Sequence, residues 1–312
     1  MGLRGAGASR GRKPDLTAAG VAIGLELGPR GVRAVVVDGG GAVIARETRR
    51  AASGSPLRAV KAAVQAALKG TGAGPLPVGA CAHDADLDAV QRWLPPVAGV
   101  VDLNGRLVRA GVSAAVAERW VGAARGAANV AVLVIGDRIS AGILIDGRPW
   151  VGAHGQAGSA AWFALNPVER QDYRKGGCLD AEVSARGVGR RLAWRVEAGD
   201  ESSVVQHAGD SDVIAAERVF EGARAGDGVA ESVVRETAKY IGMAIANLVL
   251  TMDPDMIVLG GSMSRAGDVL LEPVRQECAR RLPPALASTF TLVTSPLGED
   301  APAIGAARLA MP

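Results

Sequence analysis

Residues 229–262 constrain the fold more than any other stretch of the chain. Val229, Val233, Val234, Ile241, Ile245, Leu248 and Met252 recur at helical spacing and draw one apolar stripe along a long helix. Asp253-Pro254 stops it, because proline pushes the residue before it out of the helical region. Met256-Ile257-Val258-Leu259 reads as a short buried strand, Gly260-Gly261-Ser262 follows at once, and a helix is predicted over Val269 to Leu282. Strand, glycine pair and helix together let bare backbone N–H groups approach a nucleotide. The same turn also packs a strand on a helix for steric reasons alone.

Two meanders precede this unit. Val21 to Leu27, a turn at Gly28-Pro29, Val32 to Asp38, Gly39-Gly40-Gly41 and Ala42 to Arg46 make the first. Asn129 to Ile135, Gly136-Asp137, Ile139 to Ile145 and the hairpin signal Asp146-Gly147 make the second. The repetition suggests two related lobes. Between them a helix is predicted over Pro56 to Leu68 and a buried strand over Val78 to Ala82. Leu87, Val90 and Leu94 mark a helix that Pro95-Pro96 ends, and Val100 to Gly105 reads as a strand entering a turn. Ser113 is read as the cap of a helix running through Trp120 and Ala124 and closed by Gly126.

The chain has 312 residues, 48% hydrophobic and 21% charged, enough for a sizeable core and too apolar for general disorder. Aromatics at 3% argue against a stacking platform for single-stranded nucleic acid. There is no unbroken apolar run of about 18 residues and no apolar core to the N-terminus, so a cytoplasmic protein away from the membrane is expected. Arg4, Arg10, Arg12 and Lys13 outweigh the net charge of +3, leaving the remaining chain at −1. That tail is expected to be a solvated terminus. Cys81, Cys178 and Cys278 are odd in number and far apart, so neither a disulfide framework nor a C-x-x-C metal site is legible.

Tyr240 to Leu248, Asp253-Pro254, Ile257 to Gly261 and Ala266-Gly267-Asp268 together resemble the ROK family of repressors, open reading frames and kinases. Ser295 to Ala301, Ile304 to Ala307 and Gly142 to Arg148, with Gly152 and Ala157-Gly158, match as well. The resemblance covers nearly all of the chain from Val21 onward. It implies an α/β fold of two actin-like, ribonuclease-H-like lobes around a central cleft. The implied layout is a basic tail over 1–19, an N-terminal lobe over 20–127, a C-terminal lobe over 128–297 and a final helix, 298–312, returning toward the N-terminal lobe. Family kinases bind ATP and a sugar in that cleft, and an Asp base activates the sugar hydroxyl.

Against that pattern the motifs are altered. The first phosphate loop reads Glu26-Leu27-Gly28-Pro29-Arg30, where Pro29 removes an N–H donor, and this loop looks more like the family's regulators. The second reads Gly136-Asp137-Arg138-Ile139-Ser140, keeping one glycine and adding a carboxylate that repels phosphate unless Mg²⁺ intervenes. Counting back from Ala117-Glu118 puts Ala110 at the position of the base. In a second register Ala98 to Gly105 matches the family's earlier turn and a sugar-contacting stretch is missing before Ser113. In neither is a catalytic residue assigned. Ser159 and Trp162 replace the sugar-binding Glu and the His that binds zinc and sugar. Asp180 keeps a sugar-side carboxylate, and Cys178 alone cannot hold zinc, so no metal is expected. The resemblance therefore implies Glu26, Gly28, Gly136, Asp137, Gly260, Gly261 and Ser262 as the nucleotide side, with ATP and Mg²⁺ as its ligands, and Ser159 and Asp180 as the sugar side.

Two functions follow as expectations. One is a non-catalytic sugar-kinase homologue acting as a ligand sensor, scaffold or accessory regulator. The other is an ATP-dependent sugar kinase with a relocated base among Asp84, Asp86, Asp88 and Asp102, although a solvated acidic loop is the simpler reading of 84–88. Too few residues precede Val21 for a helix-turn-helix, so no direct sequence-specific DNA binding is expected. A homodimer is expected from the resemblance. The aromatics Trp150, Trp162, Phe163, Tyr173 and Trp194 could serve it, or could form a local core in place of zinc.

Overall fold

In the computed structural model, which describes residues 20–28, 31–50, 56–69, 76–98, 107–206 and 214–312, the chain builds one sheet design twice. The first half comprises β1 (Ala22–Gly28), β2 (Gly31–Val37), β3 (Val43–Arg50), α1 (Pro56–Leu68), β4 (Val78–Ala82), α2 (Leu87–Ala98), β5 (Val108–Arg109) and α3 (Ala110–Val121). The second half opens with β6 (Val130–Ile135), β7 (Ile139–Ile145) and β8 (Arg148–Pro149). Helices α4 (Gln171–Gly176), α5 (Cys178–Val183), α6 (Ala185–Glu197), α7 (Ser203–Gln206), α8 (Ala216–Arg224) and α9 (Gly228–Met252) follow. The chain ends with β9 (Met256–Gly260), α10 (Gly267–Ala279), β10 (Thr291–Thr294) and α11 (Ala301–Ala310).

The strand orders are β3-β2-β1-β4-β5 and β8-β7-β6-β9-β10. In each sheet the first three strands form an antiparallel meander, and the last two add in parallel beside the first. The two meanders read from the sequence are therefore the same half-sheet repeated, and the α/β two-lobe fold is as the resemblance implied. β6, Val-Ala-Val-Leu-Val-Ile, is buried along its whole length, as suits a central strand covered on both faces.

Helices α3 and α11 pack on each other, and α11 also lies on β1 and β4. Their residues join the inner faces of both sheets in one apolar cluster, with Val35, Val132, Val258 and Ile304 among its members. The approach is close. A Cβ on Gly24 of β1 would stand 1.7 Å from the Ala303 carbonyl oxygen, so only glycine lets the helix seat. The largest cluster lies on the other face of the second sheet, under α6, α8, α9 and α10. Asp227 caps α9 through Ala230 N–H at 2.9 Å, and Asp253 ends it at φ 45. No helix among the described residues is long and apolar enough to cross a membrane.

Three local readings are corrected. α2 runs through Pro95 and Pro96 to Ala98, because proline's fixed φ is helical and both prolines sit in the last turn. Ser113 does not cap α3. The helix begins at Ala110 with Arg109 before it, and the buried Ser113 hydroxyl donates to Pro302 O at 2.7 Å on α11. α3 ends at Val121 rather than reaching Ala124. The tail over 1–19, Pro29, Arg30 and the strand predicted at 100–105 lie outside the described residues.

Candidate functional site

A cleft of about 770 Å³ opens between the turns of the two sheets. Glu26 and Gly28 at the end of β1, Gly136 and Asp137 at the β6–β7 turn, and Gly261 and Ser262 after β9 all line it. Gly260 does not. It is buried within β9, opposite Val134 of β6. The register explains the convergence: β6 pairs with β7 and β9, so the turn after β6 and the turn after β9 emerge side by side. A Cβ on Gly136 would lie 3.4 Å from the Ser262 Oγ. Gly261 is glycine for a packing reason as well. At φ +79 its Cβ would meet the Ile135 carbonyl oxygen at 2.3 Å.

The phosphate-cradling capacity of the β6–β7 turn is reduced. Gly136 donates its N–H to Arg138 O at 3.1 Å and accepts Ala185 N–H on its carbonyl at 2.8 Å, so its backbone is committed. The cavity volume suits a nucleotide-sized ligand.

The sugar-side residues Ser159 and Asp180 do not line this cavity. Each is tied instead, through an arginine, to the aspartates after β4. Arg109 forms an ion pair with Asp84, with Nε donating to Oδ1 at 2.7 Å and Nη2 2.5 Å from Oδ2, which accepts no hydrogen bond. The same guanidinium donates to Ser159 Oγ at 2.7 Å, to Ala157 O at 2.7 Å and to Gly155 O at 3.0 Å. Arg109 therefore fills the position where the resemblance expects sugar contacts. Arg138 lies 3.4 Å from Asp86 and 4.0 Å from Asp180. Burial pushes the Asp180 carboxyl up, and Arg138 and the Ile139 N–H, which it accepts at 3.2 Å, oppose that.

Ala110 is fully buried at the first position of α3 and carries no proton-accepting group. The nearest carboxylate through hydrogen bonds is Asp84. The Ser140 hydroxyl reaches Asp84 Oδ1 at 3.3 Å and accepts Gly111 N–H at 3.0 Å, in the first turn of α3. The reading of 84–88 as a solvated loop is overturned for Asp84 and Asp86, whose side chains are 6% and 9% exposed because distant arginines pair with them. Asp88 is exposed, and Asp102 lies outside the described residues.

His83 completes the cleft floor. Its Nε2 stands 2.9 Å from Glu26 Oε1, and its Nδ1 is buried without a partner. Burial disfavours the imidazolium, but Glu26, Asp86 and Asp84 outweigh it and hold the ring above its ordinary value. Glu26 also faces Arg33 Nε at 3.6 Å, and Arg33 continues to Glu299 and Asp300 beside α11.

The segment where the family carries zinc does not fit that metal. Cys178 sits in a small apolar cluster with Tyr173 and Ala181, and no group of three or more His, Cys, Asp or Glu among the described residues is placed to hold a metal. Glu182 is ringed by Arg170, Arg191 and the Tyr173 hydroxyl, while Arg170 and Arg190 stack on Trp194. Tyr173 is thereby part of a buried polar cluster. Trp150, Trp162 and Trp194 remain exposed, so the arginines stack on Trp194 at the surface.

Sequence reasoning named Arg109 only as the residue before Ala110 and passed over His83. The legible signal for Arg109 was a lone cation in the apolar run Leu107-Val108-Arg109-Ala110-Gly111-Val112.

Comparison with known proteins bears on the family and the fold. The family model that describes the ROK family matches residues 106–312. The glucokinase of Halalkalibacterium halodurans is 36% identical over 194 residues, which cover 62% of this chain and 59% of that enzyme. The match therefore spans about three fifths of that relative's length. The glucokinase of Streptomyces coelicolor is 27% identical over 314 residues, covering 93% of this chain and 98% of that one. The crystal structure of a ROK family glucokinase from Streptomyces griseus in complex with glucose and AMPPNP aligns with a TM-score of 0.81 at 25% identity, over 93% of this chain and 99% of that one.

Proposed function

The chain belongs to the ROK family, and from that premise we propose that it is a sugar-kinase-type member. It transfers a phosphoryl group from a nucleotide to a hydroxyl of a small carbohydrate in the cleft. The observation that carries this reading is Asp84, a carboxylate with a buried side chain that lies in sequence between the cleft-lining His83 and Asp86 and is joined through Ser140 to the start of the helix where the base is otherwise missing. It can take the hydroxyl proton while the oxygen attacks the terminal phosphorus and the nucleoside diphosphate leaves. The likeness to glucokinases supports the same reading. Turnover requires Arg109 to move off Asp84, which frees Ser159 at the same time.

The test is coupled detection of ADP release with Mg²⁺-ATP and a panel of hexoses and N-acetylated amino sugars. Sugar-dependent release is expected, reduced about 10²–10⁴-fold in Asp84→Asn, with Asp88→Asn near wild type and thermal melts confirming that both variants fold. Tight ATP binding without turnover of any sugar removes the kinase reading.

That outcome favours a second reading, a non-catalytic nucleotide sensor or scaffold. Its support is Arg109 itself, which saturates Ser159 and two loop carbonyls and neutralises Asp84.

A further inference from the structure

We infer that Arg50 and Arg186 grip the phosphate chain of the ligand from opposite walls of the cleft, where the Gly136 N–H is already spent on Arg138 O. The inference rests on the nucleotide reading above and names residues that neither the resemblance nor the motifs single out. Its starting point is register. Gly28 pairs with Gly31 across the β1–β2 turn, and Gly31 pairs with Arg50 at the end of β3. Arg50 therefore stands beside the first phosphate turn. On the other wall, Ala185 N–H donates to Gly136 O at 2.8 Å and fixes the start of α6 to the β6–β7 turn. Arg186, the next residue, therefore stands beside the second. Both arginines line the same cavity as Gly136, Gly261 and Ser262.

Neither is held in a close ion pair, although Arg186 also acts at a distance on Asp180. The other arginines of the cavity are engaged: Arg33 with Glu26, Glu299 and Asp300, Arg138 with Asp86, and Arg49 with Glu47. Arg50 and Arg186 are exposed and form no ion pair among the described residues. The guanidinium fork matches phosphate oxygens and donates two hydrogen bonds at once. Two such groups also offset the carboxylate of Asp137, which by itself repels a phosphate chain. Farther along, Ile214, Ala215 and Ala216 give the cavity an apolar stretch suited to a base. The cavity thus has a cationic end for phosphates and an apolar end for the nucleoside.

Isothermal titration separates these ends with three probes: ATP, adenosine and inorganic tripolyphosphate. Arg50→Ala and Arg186→Ala are each expected to weaken ATP and tripolyphosphate about tenfold. Adenosine affinity should not move, and Arg50→Lys should recover part of the loss. A purely structural role would lower adenosine binding in parallel. Tripolyphosphate bound as tightly as ATP, and lost in the double alanine variant, keeps the two arginines and makes an inorganic chain the phosphate source. Wild-type ATP affinity in the double variant overturns the inference and leaves the nucleotide reading standing. A wild-type protein that binds neither ATP nor tripolyphosphate overturns both.

Discussion

Replacing Arg109 by methionine removes the guanidinium that joins the segment after β4 to the 155–159 loop and keeps most of the apolar stem. Asp84 loses its ion-pair partner, and Gly155 O, Ala157 O and Ser159 Oγ lose a donor. The pair is buried, with side chains 8% and 6% exposed. Removing one member of such a pair strands a charge at a cost of about 3–5 kcal/mol. Water can enter from the 155–159 loop and resolvate the carbonyls, so the lower end, about 3 kcal/mol, is expected for urea unfolding at pH 7. Adding Asp84→Asn removes the stranded charge. The double variant should therefore be more stable than Arg109→Met alone by about 1–2 kcal/mol. A single variant within about 0.5 kcal/mol of wild type, or a double variant that loses the sum of both singles, refutes the buried-pair argument.

Gly24→Ala should destabilise by about 3 kcal/mol in the same assay, since a Cβ 1.7 Å from Ala303 O forces α11 off β1. His83 has a folded pKa held above its unfolded value of 6.5, so its contribution is complete below that value and fades as pH rises through the folded one. His83→Gln should flatten that part of the stability–pH curve. Asp227 is the opposite case. Against the cost of its burial, Ala230 N–H and the Ser203 and Ser202 groups hold its carboxyl down at about 2, so its contribution is present above 3.8 and lost as pH falls toward 2. Asp227→Ala should cost about 1 kcal/mol at neutral pH by loss of the α9 cap and little in strong acid.

What was legible in the sequence was what neighbours in the chain decide. α1 and β4 fall where periodicity placed them, over Pro56–Leu68 and Val78–Ala82, and both meanders follow from glycine turns between apolar runs. What was not legible depends on partners remote in the chain. Ser113 has the chemistry of a cap, yet its hydroxyl is spent on Pro302 across the α3–α11 contact. Asp84 and Asp86 form part of an acidic cluster, and only the fold brings Arg109 and Arg138 to them and takes them out of water. Arg50 and Arg186 have no local signature at all, because their meaning comes from the turns that β-sheet register and the start of α6 set beside them. The glycines that line the cavity were more legible because glycines at strand ends mark themselves, although Gly260 lies within β9 and does not line it.

Ala110, Arg109 and Asp84 are best understood together. A carboxylate at the first position of a helix is favoured by the helix dipole as well as by any role as a base. With alanine there, α3 takes its negative partner from another segment: Asp84, at the end of β4, reaches Gly111 N–H through the Ser140 hydroxyl. Arg109 then balances that charge and in doing so spans to the 155–159 loop of the other half. The cleft has therefore not simply lost a base. It keeps a negative charge near the same helix start and places a removable cation over it. Whether a ligand can compete Asp84 and Ser159 away from Arg109 is what separates a kinase held shut from a protein that binds a nucleotide and goes no further. The two differ in one observable, the dependence of ADP release on an added sugar. Because Arg50 and Arg186 lie outside the Arg109 contacts, nucleotide binding should survive at full strength in either case.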